Sequence, residues 1–244
     1  MKLLVTGFEP FGVLAENPSA TIVRELSRRA AVRPDDYPGL SVAILPTEFA
    51  KAERTIRDLL QTDVPDVLLA LGVAPRAQGL RLERTARNRD DAALPDNAGE
   101  QRQLTPIVPG GPDTFESTLP IQAMRAALEQ LGVPVAISDD AGGYVCNHLF
   151  YAARHVIDSR RLQTRCGFVH VPLCTEQVDT DAQPAHADRK GSAVGTLPRA
   201  KLVEAVECCI RVIHSMGADA ADAFRRTDRT GDQPDRRTRG NCRD

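Results

Sequence analysis

Three short segments of the chain carry side chains that together could attack a carbonyl carbon. Cys146 follows the segment 142–144, G-G-Y, and precedes a helix-like stretch, His170 lies in G-F-V-H-V-P, and Glu83 lies in L-R-L-E-R-T. A cysteine nucleophile needs a base, usually a histidine, and the histidine needs a third polar group that orients its ring. The three residue types therefore form a candidate nucleophile, base and orienting acid.

The position of Cys146 predicts a helix N-terminus. The segment 133–137 predicts a strand, and two glycines connect it to the apolar helical run that contains Cys146. Unpaired backbone N–H groups and the helix dipole favour a thiolate at such a position, and the same N–H groups could hold an oxyanion. The alternative is that Cys146 is a small packed hydrophobic residue.

The candidate base and acid also occupy informative positions. His170 lies near the carboxyl end of a predicted strand, where sites occur in α/β sheets, whereas His148 points to a different helix face from Cys146. Glu83 falls inside a predicted strand, where a carboxylate is costly unless it is paired. Taken singly, His170 could be a core residue and Glu83 an edge-strand charge, but the combination with Cys146 favours chemistry.

The elements that must position these residues predict an α/β fold. Short apolar strands alternate with segments of helical period along the chain. Strands are predicted at 2–5, 40–45, 67–71, 79–87, 133–137 and 167–171, and helices after 17–19, from 49, after 117–120, around 146 and over 202–216. This alternation predicts one α/β domain over residues 1–218, with a mixed, mostly parallel sheet covered on both faces.

Two polar segments fall outside this pattern. Residues 179–195 are polar and loop-like, which favours a flap. Residues 219–244 are rich in Arg and Asp, and beyond Arg225 almost nothing can be buried, so we expect a mobile tail.

Composition argues against several other classes of protein. The chain has 244 residues, a formal net charge of −2 and no Trp, which gives no case for a nucleic-acid partner. No apolar run approaches the ~20 residues that span a bilayer, so we expect no membrane partner and a cytoplasmic location. The six cysteines lack the spacing of a disulfide framework or a metal site. We expect free thiols, no metal and no cofactor.

From residue 3 to about residue 215 the chain resembles the pyroglutamyl peptidase family. The resemblance rests on V-T-G-F-E-P-F-G with N-P-S shortly after, E-R-T-A-R-N, L-P-D-N-A-G, A-G-G-Y-V-C-N-H and G-F-V-H-V-P, in this order. It implies a three-layer α/β/α domain of the phosphorylase/hydrolase-like class, usually cytosolic and often tetrameric. It also implies a cysteine exopeptidase that removes N-terminal pyroglutamate from peptides through an acyl-enzyme, with Cys146 as nucleophile, His170 as base and Glu83 as orienting acid.

The same resemblance implies a substrate pocket. Phe8 and Phe11 would pack around the lactam ring and Tyr144 would lie close to the nucleophile, while Asn17 and Val73 would complete the substrate-binding set. A flat, uncharged five-membered ring suits apolar walls with a few polar groups. We therefore expect peptides with N-terminal pyroglutamate as substrates.

The chain departs from the family pattern at two positions. Ala93 stands where the family usually has the arginine of D-A-R, so that role is vacant or has moved elsewhere, with Arg84, Arg87 and Arg89 nearby in sequence. Val73 stands where the family commonly has glutamine, which removes a side-chain amide. Two alternatives remain on the sequence: another thiol amidohydrolase on the same fold, or a degenerate thiol-sensing or binding protein.

Overall fold

A computed structural model describes the backbone of residues 1–178 and 195–229 and the side chains of 1–177 and 195–216. The predicted flap at 179–195 lies outside the described residues except for Gly195. The predicted tail lies outside them beyond residue 229.

A six-stranded sheet forms the centre of the molecule. Its strands are β1 (Leu3–Phe8), β2 (Leu40–Leu45), β3 (Val67–Val73), β4 (Leu80–Glu83), β7 (Val135–Ser138) and β8 (Arg165–Val171). The strand order is β2-β1-β3-β8-β4-β7; the first four are mutually parallel, whereas β4 is antiparallel to β8 and parallel to β7. The predicted mixed, mostly parallel sheet is confirmed.

Helices cover both faces of this sheet. They are α1 (Pro18–Val32), α2 (Phe49–Thr62), α3 (Ile121–Gln130), α4 (Val145–Ser159), α5 (Thr175–Val178) and α6 (Arg199–Arg229), with a 3₁₀ helix at Pro34–Asp36. Apolar side chains of α1, α3 and α6 pack in one core, and those of α2 and α4 pack in the other. This arrangement is the three-layer α/β/α domain. Helix α6 crosses the expected domain boundary at residue 218, and the tail stays a prediction.

The single strand predicted over 79–87 is wrong. The chain forms β4, leaves the sheet at Arg84, and then forms β5 (Thr85–Arg87), which pairs with β6 (Thr114–Glu116) in a separate two-stranded sheet. The side chain of Asn147 on α4 holds this second strand, because it accepts from Arg87 N and donates to Arg87 O, each at 2.9 Å. A further small sheet joins β9 (Leu173–Cys174) to β10 (Thr196–Leu197).

The direction of β4 places Arg81 and Glu83 next to His170 on one face of the sheet. Because β4 is antiparallel to β8, Arg81 lies opposite His170 and Glu83 lies opposite Phe168. Directly opposed residues of an antiparallel pair, and their diagonal neighbours, are within reach of long side chains. Glu83 and His170 are diagonal neighbours in this register.

Candidate active site

The candidate base and orienting acid are in direct contact. Nδ1 of His170 lies 2.8 Å from Oε1 of Glu83. Glu83 is fully buried and His170 nearly so. Because a carboxylate only accepts hydrogen bonds, Nδ1 carries the hydrogen, which leaves Nε2 as the nitrogen able to take up a proton.

The candidate nucleophile faces the same cavity as this pair. Cys146 is the second residue of α4, and both Cys146 and His170 line the cavity. Gly72 makes room for the sulfur: a Cβ at that position would lie 2.7 Å from Cys146 Sγ and 2.8 Å from the ring of Phe168. Gly72 is also the register partner of His170 on the neighbouring strand. Gly72 therefore leaves the space beside His170 that the sulfur of Cys146 occupies.

The protonation state of Cys146 differs from the expected resting thiolate. Burial, with a smaller contribution from the Glu83 carboxylate, raises the pKa of the Cys146 thiol to about 12. Desolvation disfavours the charged thiolate relative to the neutral thiol. The thiol is protonated at neutral pH, so its proton must move to a base when the sulfur attacks.

The cavity in front of Cys146 has a volume of about 470 Å³, which suits a small ligand. Of the residues expected to bind substrate, Phe11, Val73 and Tyr144 line it. Its other lining residues are Ala74, Pro75, Arg81, Asp91, Ala92, Ala93, Leu94, Asp140, Ala141, Gly142 and Gly143.

An aromatic wall joins the start of α4 to the loop around Pro95. The ring of Tyr144 lies 5.5 Å from that of Phe11 and 5.6 Å from that of Phe49, between centroids. Its hydroxyl donates to the carbonyl of Pro95 at 3.0 Å. Burial raises the pKa of Tyr144 to about 12, so this hydroxyl stays a donor. One side chain therefore borders the cavity and fixes the loop beside it.

Phe8 and Asn17, both expected to bind substrate, are absent from the cavity lining. Phe8 is 2% exposed and packs against Phe168 with ring centroids 6.5 Å apart, because β1 is buried along its whole length. Asn17 caps α1: its Oδ1 accepts from Ser19 N at 3.1 Å, and its Nδ2 donates to Glu9 O at 3.1 Å. Both residues are buried in the fold rather than exposed to the cavity.

Position 93 lines the cavity, but the three arginines considered as replacements do not. Arg84 pairs with Asp139, Arg87 with Asp140 at 3.5 Å, and Arg89 with Asp91 at 3.0 Å. The lining arginine is Arg81, a residue that the sequence argument did not single out. Its place follows from the antiparallel register of β4, which the local sequence does not reveal.

A second group of charges surrounds His148, whose side chain is fully buried. Its Nδ1 lies 2.8 Å from Asp90 Oδ2 and its Nε2 lies 3.4 Å from Glu53 Oε2. Arg102 Nη1 lies 3.2 Å from the same Asp90 oxygen. Burial alone would lower the pKa of His148, but the Asp90 and Glu53 carboxylates outweigh it and raise the pKa. His148 also holds the pKa of Glu53 down to about 2, against burial and with help from Arg57.

This second group lies outside the lining of the catalytic cavity. His148 and Cys146 therefore point to different faces of α4, as the sequence predicted. It joins α2 and α4 to the segment that leads into the cavity loop. The contact between Asp90 and His148 could not be predicted from local sequence, because the two residues are 58 positions apart.

The described part of the chain offers neither a metal site nor a membrane span. No group of three or more His, Cys, Asp and Glu residues there is arranged to hold a metal ion. No helix within the described ranges is long and apolar enough to cross a bilayer.

Comparison with known proteins matches residues 1–216 to the family described as pyroglutamyl peptidase. The pyrrolidone-carboxylate peptidase of Clavibacter michiganensis is 41% identical over 206 residues, which cover 84% of this chain and 94% of the relative. That of Streptomyces coelicolor is 41% identical over 184 residues, covering 75% and 83%. A crystal structure of pyrrolidone carboxyl peptidase from Pyrococcus furiosus superposes with a TM-score of 0.78 at 33% identity, covering 88% of this chain and 99% of that one. The chain therefore belongs to the pyroglutamyl peptidase family of cysteine omega-peptidases.

Proposed function

We propose that Cys146, His170 and Glu83 are the nucleophile, general base and orienting acid with which this chain removes N-terminal pyroglutamate from peptides. The observation that carries the assignment is the buried Nδ1–Oε1 contact of 2.8 Å beside a cavity that also receives Cys146. A nucleophile, a base and an orienter in this relation can perform acyl transfer.

The reaction begins with transfer of the Cys146 proton to Nε2 of His170 as the sulfur attacks the carbonyl carbon of the pyroglutamyl residue. Backbone N–H groups in the first turn of α4 have no acceptor within the helix and stabilise the oxyanion. His170 then protonates the leaving amine and the C–N bond breaks, which leaves a thioester. A water molecule that gives a proton to His170 hydrolyses the thioester, and the thiol regains its proton.

Selection of the pyroglutamyl group rests on the apolar wall. Phe11 and Tyr144 offer aromatic surface to an uncharged lactam ring. An uncyclised N-terminal glutamate would bring an ammonium and a carboxylate, which such a wall would desolvate without partners.

The decisive experiment is chromophore release from a pyroglutamyl amide by wild type, Cys146→Ala and the control Cys208→Ala. Cys208 is buried on α6, in the opposite core. We expect release by wild type and the control alone. Turnover by a folded Cys146→Ala variant would contradict the assignment.

Two further assays address the alternative functions. A panel of prolyl and N-acetylalanyl amides tests for another amidohydrolase, which would prefer one of them over the pyroglutamyl amide. Stoichiometric reaction of the thiol without turnover of any amide would indicate a thiol sensor.

We also propose a cytoplasmic homotetramer, and the support is the family resemblance. Light scattering coupled to size-exclusion chromatography measures the mass in solution. A monomer at working concentration would contradict the tetramer.

A further inference from the structure

Arg81 lies beside the catalytic pair and lines the same cavity. It lies on β4 directly opposite His170, and it precedes Glu83 by two residues, so both side chains leave the strand on the same face. Both Arg81 and His170 line the cavity. Arg81 is the only Lys or Arg among the described residues of that lining.

Arg81 contacts the carboxylate oxygen that also holds the histidine. Its Nε lies 3.3 Å from Glu83 Oε1, the atom that contacts His170 Nδ1 at 2.8 Å. The other carboxylate oxygen, Oε2, is buried and has no hydrogen-bond partner among the described protein groups. The described polar contacts of this buried carboxylate, from Arg81 and His170, are therefore both made by Oε1.

The guanidinium is fixed from its other side as well. Nη2 of Arg81 donates to Ser138 Oγ at 2.6 Å and to the carbonyl of Asp140 at 2.9 Å. Such anchoring from the neighbouring strand and its following loop restricts the side chain to one arrangement. The next arginine along the chain, Arg84, pairs with Asp139 outside the cavity lining.

Glu83 is fully buried, so its carboxylate needs a positively charged partner inside the fold. While Cys146 keeps its proton, a His170 with only Nδ1 protonated is neutral, and a fully buried Glu83 carboxylate would then have no neighbouring positive charge from the histidine. An uncompensated buried carboxylate is strongly unfavourable. Arg81 supplies the compensating charge before the reaction begins.

We propose that Arg81 is a positioning residue that pairs with the Glu83 carboxylate and aims Oε1 at His170, so that His170 Nε2 is ready to accept the Cys146 proton. This inference rests on the proposed roles of Cys146, His170 and Glu83. Arg81 acts through Glu83, and its contribution therefore depends on a carboxylate at position 83.

The test compares Arg81→Met and Arg81→Lys with the control Arg84→Met. We expect Arg81→Met to lower kcat about 10-fold to 100-fold, a part of the ~10²–10⁴ that general-base catalysis contributes, with KM within about twofold of wild type. Arg81→Lys keeps the charge and should recover part of the loss, and Arg84→Met should match wild type. An unchanged kcat in Arg81→Met, or a loss confined to KM, would overturn the inference.

A double-mutant cycle separates positioning from general structural damage. In a Glu83→Gln background the neutral amide needs no compensating charge, so Arg81→Met should cost at most about twofold. Full multiplication of the two losses would show that Arg81 acts independently of Glu83 and would refute the proposal.

Alkylation of Cys146 by iodoacetamide, followed by intact-protein mass spectrometry, supplies a readout that needs no substrate. We expect Arg81→Met to slow alkylation near neutral pH and Arg84→Met to leave it unchanged. If wild type released nothing from a pyroglutamyl amide, the proposed function would fail, while the alkylation rates would still decide the role of Arg81. Equal rates for Arg81→Met and wild type would reject that role.

Discussion

His148 follows Cys146 by two residues on α4, yet its ring lies in a fully buried contact with Asp90, 2.8 Å from Nδ1 to Oδ2. The sulfur of Cys146 faces the cavity instead. One helix therefore carries a nucleophile on one face and a charged anchor on another. The anchor holds Asp90, which directly precedes the loop residues that line the cavity.

The raised pKa of His148 predicts a pH-dependent contribution to stability. The groups facing the ring are Asp90 and Glu53, with Arg102 bound to Asp90. Because the pKa of His148 is higher folded than unfolded, its contribution is fully present below the unfolded value of about 6.5 and is lost as pH rises through the folded value. The Tm difference between wild type and His148→Gln should therefore be larger at about pH 5.5 than at about pH 9.

His214 provides the control for this measurement. Burial is the main cause that lowers the pKa of His214, so the neutral ring is the favoured form in the fold. The Tm difference for His214→Gln should not shrink as pH rises. A pH-independent difference for His148→Gln would show that folding does not change the pKa of His148.

Within the catalytic set, we expect His170→Ala to cost more than Glu83→Gln. His170 carries the proton from thiol to leaving amine, and loss of a general base typically costs ~10²–10⁴ in rate. Glu83 orients the ring and stabilises its cation. Steady-state kcat on a pyroglutamyl amide, with circular dichroism as a check on folding, measures the order. A larger loss for Glu83→Gln in a folded protein would contradict the assigned roles.

Gly72→Ala should abolish most activity although it adds only a methyl group. The new Cβ would lie 2.7 Å from Cys146 Sγ and 2.8 Å from the Phe168 ring, closer than side-chain atoms pack. The sulfur must shift from its position, so we expect kcat to fall by about 100-fold or more, in line with the cost of a 1 Å misplacement. Val73→Ala, at the neighbouring cavity residue, is the comparison. Near wild-type kcat for Gly72→Ala would show that the sulfur can occupy another position.

Tyr144→Phe should weaken substrate binding more than chemistry. The variant keeps the aromatic wall but loses the hydrogen bond to Pro95 O, worth about 0.5–1.5 kcal/mol. We expect KM to rise about 2-fold to 10-fold with kcat nearly unchanged. Tyr151→Phe is a matched control, because its hydroxyl donates to Pro112 O at 2.6 Å outside the cavity lining. Equal KM values for the two variants would mean that the Tyr144 bond does not shape the cavity.

Ala93→Arg tests whether the cavity gains from a second guanidinium. Ala93 shares the cavity lining with Cys146, so an added cation there can stabilise the oxyanion. A well-aimed donor is worth roughly 3–4 kcal/mol in comparable sites, and a less well-aimed one should still raise kcat about tenfold. Ala93→Met, neutral and also unbranched, controls for size. A fall in kcat with both variants would indicate crowding of the cavity.

Much of the fold could be predicted because apolar residues recur along the sequence with the period of the helix or strand that buries them. Apolar segments that alternate with segments of helical period predicted the sheet and the helices, including those that begin after 17–19 and around 146. The contact between Glu83 and His170 spans 87 positions, so the sequence suggested the pair through residue type, predicted strand position and family resemblance, and not through spacing.

The remaining features depend on strand direction and on packing. Arg81 reaches the cavity only because β4 runs antiparallel to β8. Phe8 was expected in the pocket but is buried, since β1 has neighbours on both edges and both faces. Desolvation of Cys146 favours the neutral thiol over the expected thiolate, and this desolvation depends on the surroundings that the folded chain provides.

The absence of a side chain at Gly72 also has a stereochemical consequence. The strand backbone and the Phe168 ring close off one side of the sulfur, so a planar carbonyl meets it from the cavity alone. With the lactam ring held against the aromatic wall, only one of the two faces of that carbonyl is presented. We therefore expect the tetrahedral carbon to form with a single handedness, and we expect slower turnover of an amide of the mirror-image pyroglutamyl group, which has the same size and polarity.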